Sequence, residues 1–142
     1  MRITYEIDGM LSYIYIYLRE YDGNIVGTIP YVKADLLLDK NMNWIGVEVY
    51  SAFQDDDEPK LILPVLKNSY APSKNEFVLL TNDKYIILFD PTVDQNTKME
   101  VGCNVDHNES GGLQGIEFIL DNFNANMEIP DRFRKNGSTI NY

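Results

Sequence analysis

Two segments of the chain lie sixty-nine positions apart and carry almost the same pattern: WIGVEVYS at residues 44–51 and LQGIEFIL at residues 113–120. Each has a glycine, a hydrophobic residue and a glutamate in succession, within a stretch where hydrophobic residues recur at alternate positions. Alternation of this kind is typical of a β-strand with one buried face. A chain that contains such a strand twice is expected to be a β protein with internal repetition.

Eight segments of the chain show this alternation, or form short blocks rich in Ile, Val, Tyr and Phe. Turns that contain Asn, Asp and Gly separate them, which favours antiparallel hairpins. We therefore predict a mainly β protein, with α+β as the alternative and one or two short helices at most. The predicted strands are residues 2–7, 12–18, 31–39, 44–50, 76–81, 85–90, 98–106 and 113–120.

The internal repeat extends beyond the two glycine-glutamate strands. Residues 12–51 and 83–120 each contain a strand, a variable loop, a strand that ends in aspartate, a turn, and then the glycine-glutamate strand. In this alignment Asp39 corresponds to Asp106, with two extra residues in the second turn. A single copy has one apolar face that it cannot bury alone. We expect two related antiparallel meanders forming one compact unit, and chance matching of short strands is the alternative explanation.

The length of 142 residues fits one domain, so residues 1–142 are predicted to form a single domain. Residues 53–75 contain three prolines and an acidic run, and we interpret them as a connecting segment with some ordered structure. Pro64 within it argues against a central strand or a helix interior. Residues 121–142 form an Asn-rich C-terminal extension.

Charge excludes several classes of function. Twelve Lys and Arg against 22 Asp and Glu give a net charge of −10, which repels phosphate backbones and anionic membranes and attracts basic proteins. We expect no direct contact with nucleic acid or membrane. The single cysteine, Cys103, and the single histidine, His107, provide neither a disulfide framework nor a zinc site, so no metal or cofactor is predicted. The sequence has no signal-peptide pattern and no membrane-spanning apolar run, which predicts a cytoplasmic protein.

The sequence contains no recognisable catalytic motif, and no catalytic residue is predicted. Acidic residues are nevertheless frequent in the predicted strands and turns. A carboxylate-dependent hydrolase is therefore the alternative function, since paired carboxylates can catalyse hydrolysis. Its acidic cleft would contain some of Asp39, Glu48, Asp106 and Glu117.

Alternation also assigns the side chains of the glycine-glutamate strands to faces. Trp44 is predicted on the face opposite the core, together with Gly46 and Glu48. We interpret the glycine as the mark of a bulge or of a close approach between strands, with room for a ligand as the alternative. The predicted core positions are Ile45, Val47 and Val49 in the first copy and Gln114, Ile116, Phe118 and Leu120 in the second.

The segment SYIYIYL places three tyrosines on one strand face and Ile14, Ile16 and Leu18 on the other. Tyrosine stabilises sheets through cross-strand pairs, and it is also enriched in binding hot spots because its large ring has a polar tip. We predict that these tyrosines and nearby acidic residues bind a partner. The predicted partner-binding residues are Tyr13, Tyr15, Tyr17, Glu20, Asp22, Asp55, Asp56, Asp57 and Glu58.

The first copy contains MRITY, SYIYIYL and DKNMNWIGVEVY, and the second contains DHNESGGLQGIEFIL. These stretches resemble a small bacterial domain-of-unknown-function family. Its members open with M-K-I-x-Y, continue to an L-Y-I-x-L strand and close with D-x-x-G-x-x-V-G-I-E-I-L. The resemblance covers most of residues 1–50 and residues 83–120, so the chain looks like a duplicated member. The family has no established activity, and the resemblance therefore implies a fold and no site.

The size and charge of the chain are similar to those of immunity proteins of bacterial toxin systems, including the WapI type. This similarity implies an acidic inhibitor that neutralises a basic toxin, expected to be a nuclease domain, by direct protein–protein binding. Charge would speed association and aromatic side chains would hold the complex. Besides the hydrolase, a structural or regulatory β module that forms homo-oligomers through its sheet edges remains an alternative.

Overall fold

The computed structural model describes residues 1–18, 25–55, 61–66, 76–109, 111–121 and 140–141. Within these residues the regular secondary structure is entirely strand, and none of it is a helix that could cross a membrane. The predicted mainly β fold is confirmed. The nine strands are β1 (Arg2–Asp8), β2 (Leu11–Tyr17), β3 (Ile25–Leu38), β4 (Trp44–Phe53), β5 (Phe77–Leu80), β6 (Lys84–Leu88), β7 (Thr97–Asn108), β8 (Leu113–Asp121) and β9 (Ile140–Asn141).

The strands form one antiparallel sheet with the order β5-β6-β4-β3-β7-β8-β2-β1-β9. The first eight strands curl into a half-barrel, and β9 adds two residues beside β1. Each of β1–β4 has a counterpart four strands later, in β5–β8. If every strand is relabelled as its counterpart, the strand order of the sheet is the same when it is read from the opposite edge. The hairpin β1–β2 pairs with β8, and the hairpin β5–β6 pairs with β4. Each half therefore completes the sheet of the other, which forms one compact unit.

The turns before the two glycine-glutamate strands have the same hydrogen bonds. The Asp39 amide donates to the Asn43 carbonyl at 3.0 Å, and the Asn43 amide donates to Asp39 Oδ1 at 2.9 Å. In the second turn, Asn108 and Gly112 make the same two bonds, each at 2.9 Å. Asp39 therefore corresponds to Asn108, and its alignment with Asp106 is wrong. The turns have equal length, and the alignment failed because Asp and Asn side chains can accept the same turn hydrogen bond.

The third residue after this Asp or Asn has a left-handed backbone in both turns. Met42 has a φ of 65° and Gly111 has a φ of 76°. Glycine adopts this conformation without steric cost, whereas a residue with a Cβ loses roughly 1–2 kcal/mol. The first turn is therefore strained at Met42 where the second turn is relaxed.

A β-bulge lies beside the glycine of each glycine-glutamate strand. Leu37 pairs with Gly46 and Leu38 pairs with Trp44, so Ile45 is an extra residue in β4. The extra residue reverses the alternation of side chains on its N-terminal side. Trp44 consequently lies in the core, and the prediction that it faces away from the core is wrong.

The second half repeats this arrangement in β8. The register between β7 and β8 shifts by one residue at Gln114, which precedes Gly115. Leu113 joins the core in the position that corresponds to Trp44. Trp44 itself packs edge-on against Phe89, with 4.6 Å between ring centroids. The core continues along both strands through Val47, Val49, Ile116, Phe118 and Leu120, which are all buried as predicted.

Strand β3 begins at Ile25, six residues before its predicted start. Residues 25–30, which the prediction left out of this strand, contain Gly27 and Pro30, and both residue types are typical of turns. A shift of register between Ile29 and Val32 accommodates the proline, because a residue in a bulge need not donate to the neighbouring strand. Tyr31, within this bulge, has a left-handed φ of 58°.

Residues 61–66 of the connecting segment form neither a strand nor a helix, in agreement with the expectation for Pro64. Leu63 is fully buried, and its amide donates to the Asn82 carbonyl at 2.9 Å. The Leu113 amide donates to the Val65 carbonyl at 2.9 Å. The segment therefore attaches the turn before β6 to the start of β8.

Candidate functional site

The face of the sheet opposite the core carries most of its polar side chains, and we call it the polar face. On β2 it holds Tyr13, Tyr15 and Tyr17, all half-buried, while Ile14 and Ile16 are buried on the core side. The predicted grouping of the three tyrosines on one face is confirmed by this pattern.

The three tyrosines line a groove of about 360 Å³ on the polar face. The remaining lining residues are Thr4 and Glu6 from β1 and Glu117 from β8. Antiparallel pairing brings them together, since Glu6 lies opposite Tyr13 and Glu117 lies opposite Tyr15. We call this the tyrosine groove.

Tyr15 is held in place at the base of the tyrosine groove. Its hydroxyl donates to Asp106 Oδ2 at 2.6 Å, and the Thr28 hydroxyl donates to Asp106 Oδ1 at 2.6 Å. Burial and the bond to Asp106 raise the pKa of Tyr15 well above its ordinary value, so the hydroxyl stays protonated as a donor. The ring position of Tyr15 is therefore fixed by a contact between the two halves of the chain.

Gly115 lies directly under the ring of Tyr15. A Cβ at this position would collide with that ring and with the Ile16 carbonyl. In the first half, a Cβ on Gly46 would collide with the carbonyl of Ile87. Both glycines therefore permit a close approach between strands, as interpreted from the sequence, and Tyr15 occupies the space above Gly115.

The rim of the tyrosine groove already holds one cationic side chain. The Arg2 guanidinium lies 4.0 Å from the centroid of the Tyr17 ring, and the rings of Tyr15 and Tyr17 are 4.3 Å apart. A cation in this position is attracted by the negative face of the aromatic ring. The arrangement shows that the half-buried Tyr17 ring is accessible to a guanidinium group.

The carboxylates of the tyrosine groove have no cationic partner in the described part of the chain. Glu117 accepts a hydrogen bond from Asn104 Nδ2 at 3.2 Å, and neither Glu117 nor Glu6 forms an ion pair there. No lysine or arginine is among the lining residues that the structure describes. Two carboxylates against the single Arg2 guanidinium at the rim leave the groove with a net negative charge, which a bound cation would compensate.

The corresponding glutamate of the first half, Glu48, is compensated within the chain. Lys98 Nζ lies 3.0 Å and Lys84 Nζ 3.8 Å from Glu48 Oε2. The Tyr50 hydroxyl lies 2.6 Å from this oxygen and 2.6 Å from Asp35 Oδ2, and its single proton serves one acceptor at a time. Burial opposes ionisation of Glu48, but these hydrogen bonds and charges outweigh it and hold its pKa below the ordinary value.

The two halves therefore differ in the chemistry of the polar face. Ile86 lies opposite Glu48, whereas Tyr15 lies opposite Glu117. Only the second glutamate thus combines an aromatic neighbour with a charge that no lysine or arginine in the described ranges compensates. This difference distinguishes the tyrosine groove from its counterpart.

The four acidic residues considered for hydrolysis do not all meet in one cleft. Glu48 on β4 and Glu117 on β8 have β3 and β7 between them, a separation of roughly 14 Å at the usual strand spacing. Carboxylate pairs in glycoside hydrolysis are about 5 to 9.5 Å apart. Asp39 accepts hydrogen bonds within its turn, and Asp106 accepts them from Tyr15. No set of three or more His, Cys, Asp or Glu in the described ranges is arranged to hold a metal ion.

Of the predicted acidic binding residues, Asp55 is exposed just after β4 and does not line the tyrosine groove. Five predicted residues lie outside the described part of the chain: Glu20, Asp22, Asp56, Asp57 and Glu58.

The sequence-based prediction did not include Glu6, and it named Glu117 only for the alternative hydrolytic cleft and not beside the tyrosines. The signal for Glu6 is the hairpin turn at Gly9, since a two-residue turn fixes the register that places Glu6 beside Tyr13. Glu117 has no comparable local signal, because β8 reaches β2 from the other half of the chain.

Comparison of the chain with models of protein families, with curated proteins and with solved structures finds no match in any of the three.

Proposed function

We propose that this chain neutralises a basic protein by direct binding, as an immunity or inhibitor protein does, and that the tyrosine groove is its contact surface. The observation that carries the proposal is the combination of three tyrosines with two carboxylates that lack a cationic partner among the described residues. Lysine or arginine side chains of a partner would supply the opposite charge.

The proposed partner is the nuclease domain of a bacterial toxin, encountered in the cytoplasm. A nuclease must attract a phosphate backbone, so its active-site surface is basic. A net charge of −10 would steer such a surface toward the chain and speed association. Tyrosine rings would then supply rigid contact area that slows dissociation.

Tyr13 provides the clearest test of the groove as an anchor. Its side chain lines the tyrosine groove but takes no part in the Tyr15–Asp106 bond that connects the two halves. Tyr13→Ala is expected to weaken binding by about 2 kcal/mol if Tyr13 is a hot spot. Phe77→Ala is the matched control, since Phe77 is an exposed aromatic residue on β5, at the far edge of the sheet.

Charge is tested by two double variants with the same change in net charge. Glu6→Gln with Glu117→Gln neutralises the groove, whereas Asp83→Asn with Asp94→Asn neutralises exposed acids outside it. Calorimetric titration into a candidate basic nuclease domain, chosen from toxin genes adjacent to this one, gives the affinity, and a nuclease assay gives the inhibition. The groove variant should lose much more affinity for the nuclease domain, and much more inhibition of it, than the control variant. Equal losses in the two variants would reject the groove as the contact surface.

A further inference from the structure

Tyr31 is the most unusual exposed side chain on the polar face. It is 71% exposed, although it belongs to β3, which pairs with strands on both sides. Its backbone is left-handed, and its carbonyl accepts a hydrogen bond from the Gln54 amide at 2.8 Å. The bulge therefore holds a bulky aromatic residue in a conformation that glycine or asparagine would adopt more easily.

The bulge at Tyr31 has no counterpart in the second half. The corresponding residues of β7, 98–101, pair with residues 34–37 of β3 without any shift of register. The shape of the fold alone therefore does not require the bulge. Its effect is to present one additional tyrosine ring on the same face as the tyrosine groove.

Tyr31 stands beside a second groove of about 240 Å³, which we call the Tyr31 groove. Its wall includes Glu100, Asn104, Glu117 and Ile119. Glu117 also lines the tyrosine groove, so the two grooves lie on either side of one carboxylate. A protein ligand that occupies both grooves would place one of the ligand's side chains on each side of Glu117.

The charge of the Tyr31 groove specifies the kind of side chain that fits it. Glu100 and Glu117 form no ion pair with any residue that the structure describes, and no lysine or arginine is among the described residues that line this groove. Ile119 is 44% exposed and offers apolar contact. A planar guanidinium can stack on a tyrosine ring, pair with carboxylates and lay its aliphatic stem on an apolar side chain.

We infer that the Tyr31 groove binds one arginine side chain of the basic protein partner. The guanidinium stacks on Tyr31 and pairs with Glu117, Glu100 adds negative charge farther along the groove, and Ile119 contacts the aliphatic stem. This inference rests on the proposed function, because it assigns a second contact to the same partner. It adds that arginine is preferred over lysine, since a lysine ammonium cannot stack as a plane.

The test uses two fluorescein-labelled peptides, nona-arginine and nona-lysine, and measures their binding to the full chain by fluorescence anisotropy. Tyr31→Asn removes the ring without changing the charge, and asparagine tolerates the left-handed backbone. Binding of nona-arginine should weaken about threefold to tenfold, with less change for nona-lysine. Phe77→Asn, at an exposed aromatic residue outside both grooves, should leave both affinities unchanged.

Glu100→Gln and Asp83→Asn form a second matched pair, since each removes one exposed negative charge and only the first alters the Tyr31 groove. Glu100→Gln should weaken nona-arginine binding more strongly. Tyr31→Gly repeats the ring deletion with the residue best suited to this backbone, and it should raise the melting temperature while it weakens binding. This opposite change in stability and affinity separates a binding role from a structural one.

The outcomes distinguish this inference from the proposed function. If Tyr13→Ala weakens nona-arginine binding but Tyr31→Asn and Tyr31→Gly do not, the Tyr31 groove is rejected and the tyrosine groove stands. If arginine and lysine peptides respond equally to loss of the Tyr31 ring, the preference for arginine is wrong. If neither peptide binds, or if no groove variant changes binding, both proposals are rejected.

Discussion

The hydroxyl of Tyr15 donates a hydrogen bond to the carboxylate of Asp106 at 2.6 Å, across 91 positions of sequence. Tyr15 belongs to the first half of the chain and Asp106 to the second. The bond therefore connects the two halves at the base of the tyrosine groove. Tyr15 both stabilises this contact and lines the groove.

Tyr15→Phe should destabilise the chain by roughly 1–3 kcal/mol, because the buried carboxylate of Asp106 would lose one of its two side-chain donors. Urea unfolding measures the difference. Tyr17→Phe is the control, since Tyr17 stacks against Tyr15 and Arg2 through its ring. Similar losses for the two variants would show that the Tyr15 bond adds nothing to stability.

Met42→Gly should stabilise the chain by about 1 kcal/mol, because it relieves the left-handed strain that Gly111 avoids in the corresponding turn. Lys40→Gly is the control in the same turn, at a residue without a positive φ. It should give no gain, since glycine only adds entropy to the unfolded chain there. Thermal unfolding of both variants tests this, and a lower melting temperature for Met42→Gly would contradict it.

Val47→Asp and Phe118→Asp should each abolish folding. Both side chains are fully buried, and an unpaired carboxylate in the core costs several kcal/mol by order of magnitude. Ile119→Asp is the control for Phe118, because Ile119 is the next residue of β8 and is 44% exposed. Circular dichroism should show strand structure for the Ile119 variant only. A folded Val47 or Phe118 variant would refute the assignment of the core face.

Stability should fall as acid protonates Glu48. The pKa of Glu48 is lower in the folded chain than in the unfolded chain. The ionised Glu48 therefore adds to the free energy of unfolding above the unfolded pKa, and this stabilisation is lost as the pH falls through the folded pKa. The urea midpoint should therefore decrease below about pH 4.5. Lys98→Met should flatten this decrease more than Lys84→Met, because Lys98 is closer to the carboxylate. Identical pH profiles for the two variants would exclude a specific role for Lys98.

Alternating residues identify the strands from the sequence because the strand period is two, and they place Tyr13 and Val47 on the correct faces. They fail at Trp44, since strict alternation does not show that Ile45, beside Gly46, is an extra residue in a bulge. They also cannot give the pairing of β2 with β8, which depends on contacts between distant segments. The three tyrosines of the groove are therefore predictable from the sequence, whereas the position of Glu117 beside Tyr15 is not.

Stopped-flow mixing with a candidate basic nuclease domain, chosen from toxin genes adjacent to this one, tests the proposed capture of a basic partner most directly, when association and dissociation are measured at two salt concentrations. Neutralising Asp55, Asp56, Asp57 and Glu58 together should slow association and weaken its salt dependence, because charge acts on encounter. Tyr13→Ala should instead speed dissociation, since an anchor acts on retention. An association rate that responds to neither salt nor the neutralised acids would contradict charge steering. Failure of the wild-type chain to bind this domain would contradict the proposed function itself.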